Sequence, residues 1–454
     1  MAYDKVVDSA SLDSKLTQVA DAIRTKGNTS ADLQFPSGFI SAIQAIQTGT
    51  ELQIIVTVAS GATVTATKGS LSVSGTSVNG TCTLTVPEAG TWSVKATRNG
   101  QTSDTKSVTF TDRYTTSLTF FSATITVTVE SGASVVLKKN GTALQTKTST
   151  GTVVFTVTET GTYTVEATKS GQTVSGSVNV VSSTTSYALT LSFVSAVLND
   201  NDWSKIKSVS DAGQGANYWS VGDRKAVTLN GTVGALTLSN FTTYVFIIGF
   251  NHNSSLEGTN RIHFQLAKTA LSGGTDVCLC DSSYNSNVST TGYFSMNSSR
   301  TNSGGWASSQ MRTNICGTSL SSYSGTIIAV IPAALRAVLK SVTKYTDNTG
   351  GGSTAASAVT ATTDYFFLLS EYEVFGSVAA GNTNEASKQA QYAYYSAGNS
   401  KIKYKHDGTS TAAGWGLRSP YASYSGSFLG VYTVGTVGDI DAGLSLGFAP
   451  GFCV

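Results

Sequence analysis

The chain has 454 residues, 12% charged and 40% hydrophobic, with 29 Lys and Arg against 27 Asp and Glu, a length that suggests roughly two to four domains of about 100 to 200 residues. A net charge of +2 leaves neither the basic footprint of a nucleic-acid binder nor a polybasic membrane-facing surface. The longest apolar stretch, Thr326 to Leu339, is short for a span and holds Pro332 and Arg336, so no membrane insertion is expected.

The start, Met1-Ala2-Tyr3-Asp4-Lys5, has no apolar signal segment, which argues against secretion by that route. Leu12, Leu16, Val19, Ala20 and Ile23 form one apolar stripe on a predicted helix, entered from Ser9 or Ser11 and released at Gly27. A second stripe, Phe39, Ile40, Ile43 and Ile46, follows Pro36, a residue suited to a helix start. Two short helices make a poor core, so residues 1–50 are expected to dock on copies of themselves or on a larger assembly.

From Glu51 the period changes to two and the chain repeats itself. Val56-Thr57-Val58-Ala59-Ser60-Gly61-Ala62 returns as Val127-Thr128-Val129-Glu130-Ser131-Gly132-Ala133, a shift of 71 residues. The same shift aligns Glu88 to Thr102 with Glu159 to Thr173, where nine of fifteen positions are identical, which requires a tandem duplication. Short alternating runs such as Thr83 to Val86 and Phe155 to Val157, separated by Asn79-Gly80, Asn99-Gly100 and Asn140-Gly141, predict two small β-sandwiches over residues 51–121 and 122–193. Trp92 and Tyr163 are in phase with Val94 and Val165 and are read as core residues, with sugar stacking as the minor alternative.

Residues 194–454 carry no repeat and read as one α+β domain. Tyr244 to Phe250 is predicted as a buried strand, a helix is predicted between Asn384 and Tyr395 with Asn384 as cap, and Gly350-Gly351-Gly352-Ser353 is expected to be a surface loop. The five cysteines, Cys82, Cys278, Cys280, Cys316 and Cys453, do not form a disulfide framework. Cys278 and Cys280 alternate onto one strand face, but with His252, His263 and His406 they match no zinc spacing, and no metal or cofactor is expected.

Catalytic candidates are thin. Glu371 with Glu373, and Asp439 with Asp441, are spaced to share a strand face as acid and base, and the plainer alternative is a solvated or structural role. No Gly-x-Ser-x-Gly elbow with a matched histidine is present, and no Lys follows Gly350-Gly351-Gly352 to reach a phosphate. Asp200 and Asp202 before Trp203 would bind calcium only loosely and are more simply a solvated run.

Three sets of residues resemble known families. The Gly-Thr-aromatic-x-Val-x-Ala-Thr segments at Gly90 and Gly161 resemble a strand of bacterial immunoglobulin-like and carboxypeptidase-regulatory-like modules. Val19 to Lys26 followed by Phe35 to Ile43 resembles the N-terminal element of tail proteins from phages of Gram-positive bacteria. Trp203, Trp219 to Lys225, Gly249 to His252, Phe367 to Gly376, Trp415 to Pro420 and Gly447 to Phe452 together resemble a domain of uncharacterised function in gut bacteria and their phages, similar to the C-type-lectin-like fold of variable tail adhesins and formylglycine-generating enzymes. Two positions depart from that pattern: Gly416, where a second aromatic often follows, and Gly451, where many relatives have Ala. Nothing around Cys278 and Cys280 matches the catalytic cysteine pair of the formylglycine-generating relatives, and the calcium triplets of calcium-dependent lectins do not occur.

Between these anchors, Tyr421 to Leu446 mixes small, aromatic and apolar residues without a stable period. It resembles the product of a diversity-generating retroelement, which replaces adenines in Asn codons near the end of an adhesin gene. The other reading is an ordinary Gly- and Ser-rich surface loop. The resemblance implies a variable binding face of Tyr421, Tyr424, Gly426, Ser427, Gly430, Tyr432, Val434, Val437, Asp439, Ile440, Asp441, Leu444 and Leu446, over a scaffold of Trp415, Arg418, Pro420 and Phe452. Tyr offers a large amphipathic contact with few rotors, and Gly426, Gly430 and Gly438 are expected to let a partner approach the backbone.

The expected architecture is therefore mainly β and multidomain: short N-terminal helices, two tandem immunoglobulin-like sandwiches, and a C-terminal α+β domain of C-type-lectin-like kind. The resemblance implies a homotrimeric, non-enzymatic adhesin on the phage tail of the virion, attached to other tail proteins through its N-terminus and binding a bacterial surface receptor, protein or glycan. A tail-borne carbohydrate-degrading enzyme and a purely structural tail protein are the alternatives.

Overall fold

Apolar residues spaced by three and four drive the first helix, Ser9–Gly27, and a shorter one, Ser37–Ala45, folds back on it. Only Ala20, Ile23 and Phe39 become buried between them, while Leu12, Val19, Phe35, Ile40 and Ile43 stay exposed. The computed structural model describes residues 9–46 and 51–454, so the signal-segment reading of Met1 to Lys5 lies outside the described residues. The described residues divide into two compact units, the second being Val194–Val454.

Each repeat forms a sandwich of two sheets. In the second, Thr152–Val157, Ala123–Thr128 and Ser186–Thr190 make one sheet, and Thr142–Thr148, Ser134–Lys139, Gly161–Lys169 and Gln172–Val180 make the other. The first strand of each repeat pairs in parallel with its last, Gln53 facing Arg113 and Thr124 facing Ser186. Strict alternation sends Val127, Phe155, Tyr163 and Val165 inward, and Val56, Leu84, Trp92 and Val94 in the first copy. The Trp92 indole N–H donates to the Glu88 carbonyl at 3.1 Å, and the Tyr163 hydroxyl donates to the Glu159 carbonyl at 2.9 Å. The two unlike aromatics thus fill one position by burying a ring and spending its single polar atom on the same carbonyl. Asn79-Gly80, Asn99-Gly100 and Asn140-Gly141 all have positive φ at both residues, as tight hairpins require.

In the unit Val194–Val454, the strands Arg224–Val233, Leu236–Phe250, Ile262–Lys268, Gly451–Cys453 and Phe366–Phe367 form a five-stranded sheet in that order. Residues 451–454 are thereby sealed in the core, where Phe452 stacks on Phe264 at 5.3 Å and Trp203 meets Phe264 edge-on at 5.7 Å. Asp202 caps the helix Trp203–Asp211 by accepting the Lys205 N–H, which gives Asp202 a structural role. A separate three-stranded antiparallel sheet holds Trp415–Pro420, Ser427–Val431 and Val437–Asp441.

Two local expectations fail here. The helix foreseen between Asn384 and Tyr395 is a 3-10 turn, Thr383–Ser387, capped by Asn382, and a separate short helix, Ala393–Ser396. Glu385 is buried and accepts the Asp347 N–H and the Ser419 hydroxyl, so tertiary contacts claim the segment that helix propensity would extend. Glu371 and Glu373 lie on a helix, Glu371–Phe375, not on a strand, because Ser370 and Glu373 form a capping box. The Gly350 loop is packed at its base: a Cβ on Gly350, at φ +59°, would sit 1.9 Å from the Asn302 carbonyl oxygen.

Candidate functional site

The segment read as a periodless face holds two paired five-residue strands, Ser427–Val431 and Val437–Asp441, joined and flanked by turns. Phe428 faces Ile440 and Leu429 faces Asp439 across the ladder, and the outer strand Val437–Asp441 pairs on one side only. Gly426, Ser427, Gly430, Ile440 and Leu446 are buried and out of reach of any partner, a correction to the face as first drawn. Tyr421, Val437, Asp441 and Leu444 are half-buried, with Tyr421 and Val437 packed against the core. The freely exposed candidates are Tyr424 (62%), Tyr432 (40%), Val434 (69%) and Asp439. Tyr424 lies on the turn before Ser427–Val431 and Tyr432 and Val434 on the turn after it, so the exposed side chains flank opposite ends of one five-residue strand.

The glycines also serve a different end from the one expected. A Cβ on Gly438 would lie 2.1 Å from the Tyr432 ring, one on Gly426 2.5 Å from the Tyr424 ring, and one on Gly430 2.8 Å from Ile440. They make room for the protein's own side chains. Tyr432 lies across Gly438 and donates its hydroxyl to the Asp439 carbonyl at 3.1 Å.

Trp415, Arg418, Pro420 and Phe452, expected as scaffold, are all buried; the first three lie on the strand Trp415–Pro420, whereas Phe452 belongs to the five-stranded sheet. Arg418 donates to both carboxylate oxygens of Glu373, to Thr346 Oγ1 at 2.7 Å and to the Leu368 carbonyl at 2.8 Å. Lys344, equally buried, donates to Glu373 at 2.9 Å, Glu257 at 2.8 Å and the Tyr392 hydroxyl at 2.7 Å. Burial opposes ionisation of Glu373, but Arg418 and Lys344 outweigh it and hold its carboxyl well below the usual range. Glu257, which has only a share of Lys344, is pushed up by burial to about 7. Burial likewise raises Glu385 to about 7 and lowers His252 to about 3. The network itself was not foreseen: Arg418 was expected only as scaffold, Glu373 only as an acid or a solvated residue and His252 only among residues weighed for zinc, and no local signal marks the set, because Glu257, Lys344 and Arg418 meet from distant parts of the chain.

The carboxylates of this region are enclosed and hydrogen-bonded. Glu371 accepts the Ala379, Ala380 and Gly381 N–H groups and Glu373 is locked by two cations, so neither is free as an acid or base. Asp439 and Asp441 do share the outer strand, but Asp441 pairs with Arg300 at 3.3 Å and accepts the Gly443 N–H at 2.9 Å. The cysteines are all buried free thiols; Cys278 and Cys280 have sulfurs 4.0 Å apart, and the Cys280 hydrogen bond to Cys278, with burial, raises its pKa. The His406 Nδ1 near them already accepts the Cys280 N–H at 3.2 Å. Among the described residues, metal-like spacing occurs at His252, Glu257 and Glu373, where the Lys344 ammonium bridges the two carboxylates and Arg418 adds a second positive charge. A divalent ion there would meet two cations in a dry interior, so this set does not fit one.

Residues 283–454 match a family model described as a domain of unknown function, DUF6273. No curated protein matches the chain. Among solved structures, a minor pilin of Streptococcus agalactiae is 11% identical, with 31% of this chain and 94% of that one covered, at a TM-score of 0.22. A family 26 carbohydrate-binding module of Eubacterium rectale is 14% identical, with 31% and 91% covered, at a TM-score of 0.13.

Proposed function

We propose that this chain is a phage tail receptor-binding protein, attached to the virion tail through its N-terminal helices and carrying a C-type-lectin-like domain that binds a bacterial surface structure. The observation that carries the reading is the contrast at the C-terminal sheet. Tyr424, Tyr432 and Val434 project from two turns while the strand between them and the scaffold below are buried. Exposed aromatics on a rigid base suit a recognition surface, since little rotamer freedom is lost on contact. The carbohydrate-degrading alternative is weakened at one of its two acid pairs, because Glu371 is enclosed by backbone N–H donors and Glu373 is ion-paired with Arg418 and Lys344.

On this reading Tyr424, Tyr432 and Val434 replaced together by Ala weaken adsorption to host cells by at least about tenfold, with far-ultraviolet circular dichroism unchanged. Normal adsorption by a natively folded triple variant would place recognition elsewhere.

A further inference from the structure

Asn302 lies more than a hundred residues from the turn that carries Tyr424, is fully buried, and uses every polar atom it has. Its side-chain Nδ2 has two hydrogens and shares them among three carbonyls, those of Tyr421 at 3.1 Å, Tyr424 at 3.1 Å and Ser427 at 2.7 Å. Its Oδ1 accepts the Gly351 N–H at 2.7 Å, its main-chain N–H donates to the Ser425 carbonyl at 2.7 Å, and its carbonyl accepts the Gly305 N–H at 2.9 Å. The turn is closed by Tyr421 N–H to the Ser427 carbonyl at 3.1 Å and tied outward by Ala422 N–H to the Ala380 carbonyl at 3.0 Å and Ala442 N–H to the Gly426 carbonyl at 2.9 Å. All of these bonds reach the turn through its main chain.

We propose that Asn302 is the positioning residue of the exposed turn, clamping residues 421–427 by their carbonyls so that the side chains at Ser423, Tyr424 and Ser425 can change without moving the backbone. Side chains held in place by one another must change together, whereas a backbone held by a remote amide accepts any residue that clears Gly426. Asn suits the post because a single planar group supplies donors on one side and an acceptor on the other. Asp has the same shape but would turn a carboxylate toward three carbonyl oxygens. The surroundings are fixed as tightly: a Cβ on Gly350 would approach the Asn302 carbonyl oxygen to 1.9 Å, and one on Gly305 the Asp347 carbonyl oxygen to 2.0 Å. The role in display rests on the adhesin reading; the clamp itself does not.

The test compares amide hydrogen exchange in the full-length protein for Asn302→Asp, Asn302→Ser and a triple variant, Ser423→Ala with Tyr424→Ala and Ser425→Ala. Asn302→Asp should speed exchange across 421–427 by about five- to hundredfold, as expected for stranding buried carbonyls, while the Gly351 amide, whose acceptor survives, stays protected. Asn302→Ser, which leaves only a short hydroxyl, should open the same peptide. The triple variant should exchange like the parent. Parental exchange over 421–427 in either Asn302 variant, or an opened turn in the triple variant, overturns the clamp; the triple variant alters exposed side chains only and decides the matter even where an Asn302 variant does not fold. Adsorption separates the two ideas: a triple variant with a closed turn and normal adsorption removes the adhesin reading for this turn and leaves the clamp intact.

Discussion

At the scale of single residues, the C-terminal unit is organised by charges that hydrophobic patterning alone would not place inside. Glu373 answers both Arg418 and Lys344, so Glu373→Gln removes the carboxylate paired with Arg418 and one of the two paired with Lys344. Denaturant titration should show a loss of about 3–5 kcal/mol, the usual cost of breaking a buried pair by removing one partner. Glu385 gives a pH-dependent counterpart. Burial raises its folded pKa to about 7 from an ordinary carboxyl value of 4.5, so folded protein holds a proton that the unfolded chain has released. The stability it contributes is present below about pH 4.5 and is lost as the pH rises toward about 7, in total about 3 kcal/mol. Buried His252, lowered to about 3, tilts the parent the opposite way between about pH 3 and 6.5, and comparison with a variant cancels that slope. The difference in melting temperature between Glu385→Gln and the parent should therefore move in the variant's favour from about pH 5 to 8; a constant difference would show that Glu385 ionises normally.

At the scale of elements, the sequence was readable where one rule governs a whole stretch. Asn-Gly pairs mark the hairpins, the 71-residue shift maps the second sandwich onto the first, and alternation places Trp92 and Tyr163 inside. It was unreadable where partners are remote. Nothing near Asn384 shows that Glu385 will be claimed by Asp347 and Ser419, and the capping box at Ser370 was hidden behind the strand-like spacing of Glu371 and Glu373. The Tyr421 to Leu446 stretch looked aperiodic because its strands are five residues long and glycines stand where side chains would reveal the alternation. Gly438 tests that explanation. Gly438→Ala places a methyl group in the Tyr432 ring and should cost about 1–3 kcal/mol, whereas the same change made with Tyr432→Ala should cost much less. Additive losses in that double-mutant cycle would mean that the ring does not depend on the glycine.

At the scale of the whole molecule, the cores share no residue: Leu191 and Phe193 complete the second sandwich, and Leu198 and Trp203 begin the core of Val194–Val454. The helical pair at the N-terminus has only three buried apolar residues and exposes Leu12, Val19, Ile40 and Ile43, too little interior to fold firmly by itself. A chain starting at Glu51 should therefore keep the melting behaviour of the sandwiches and the C-terminal unit; on the proposed tail-protein reading it should also sediment as a monomer and fail to enter virions, where the full-length protein should sediment as an oligomer. Tryptophan position makes the independence of the C-terminal unit measurable. Trp203, Trp219, Trp306 and Trp415 lie in it and Trp92 alone lies in the first sandwich, so tryptophan emission from the full chain reports mainly on the unit 194–454. Residues 194–454 produced alone should unfold in one cooperative transition with the denaturant midpoint that tryptophan emission gives in the full chain. A large drop in that midpoint on removing residues 1–193 would show that the unit draws its stability from the preceding sandwiches and is not a domain in its own right.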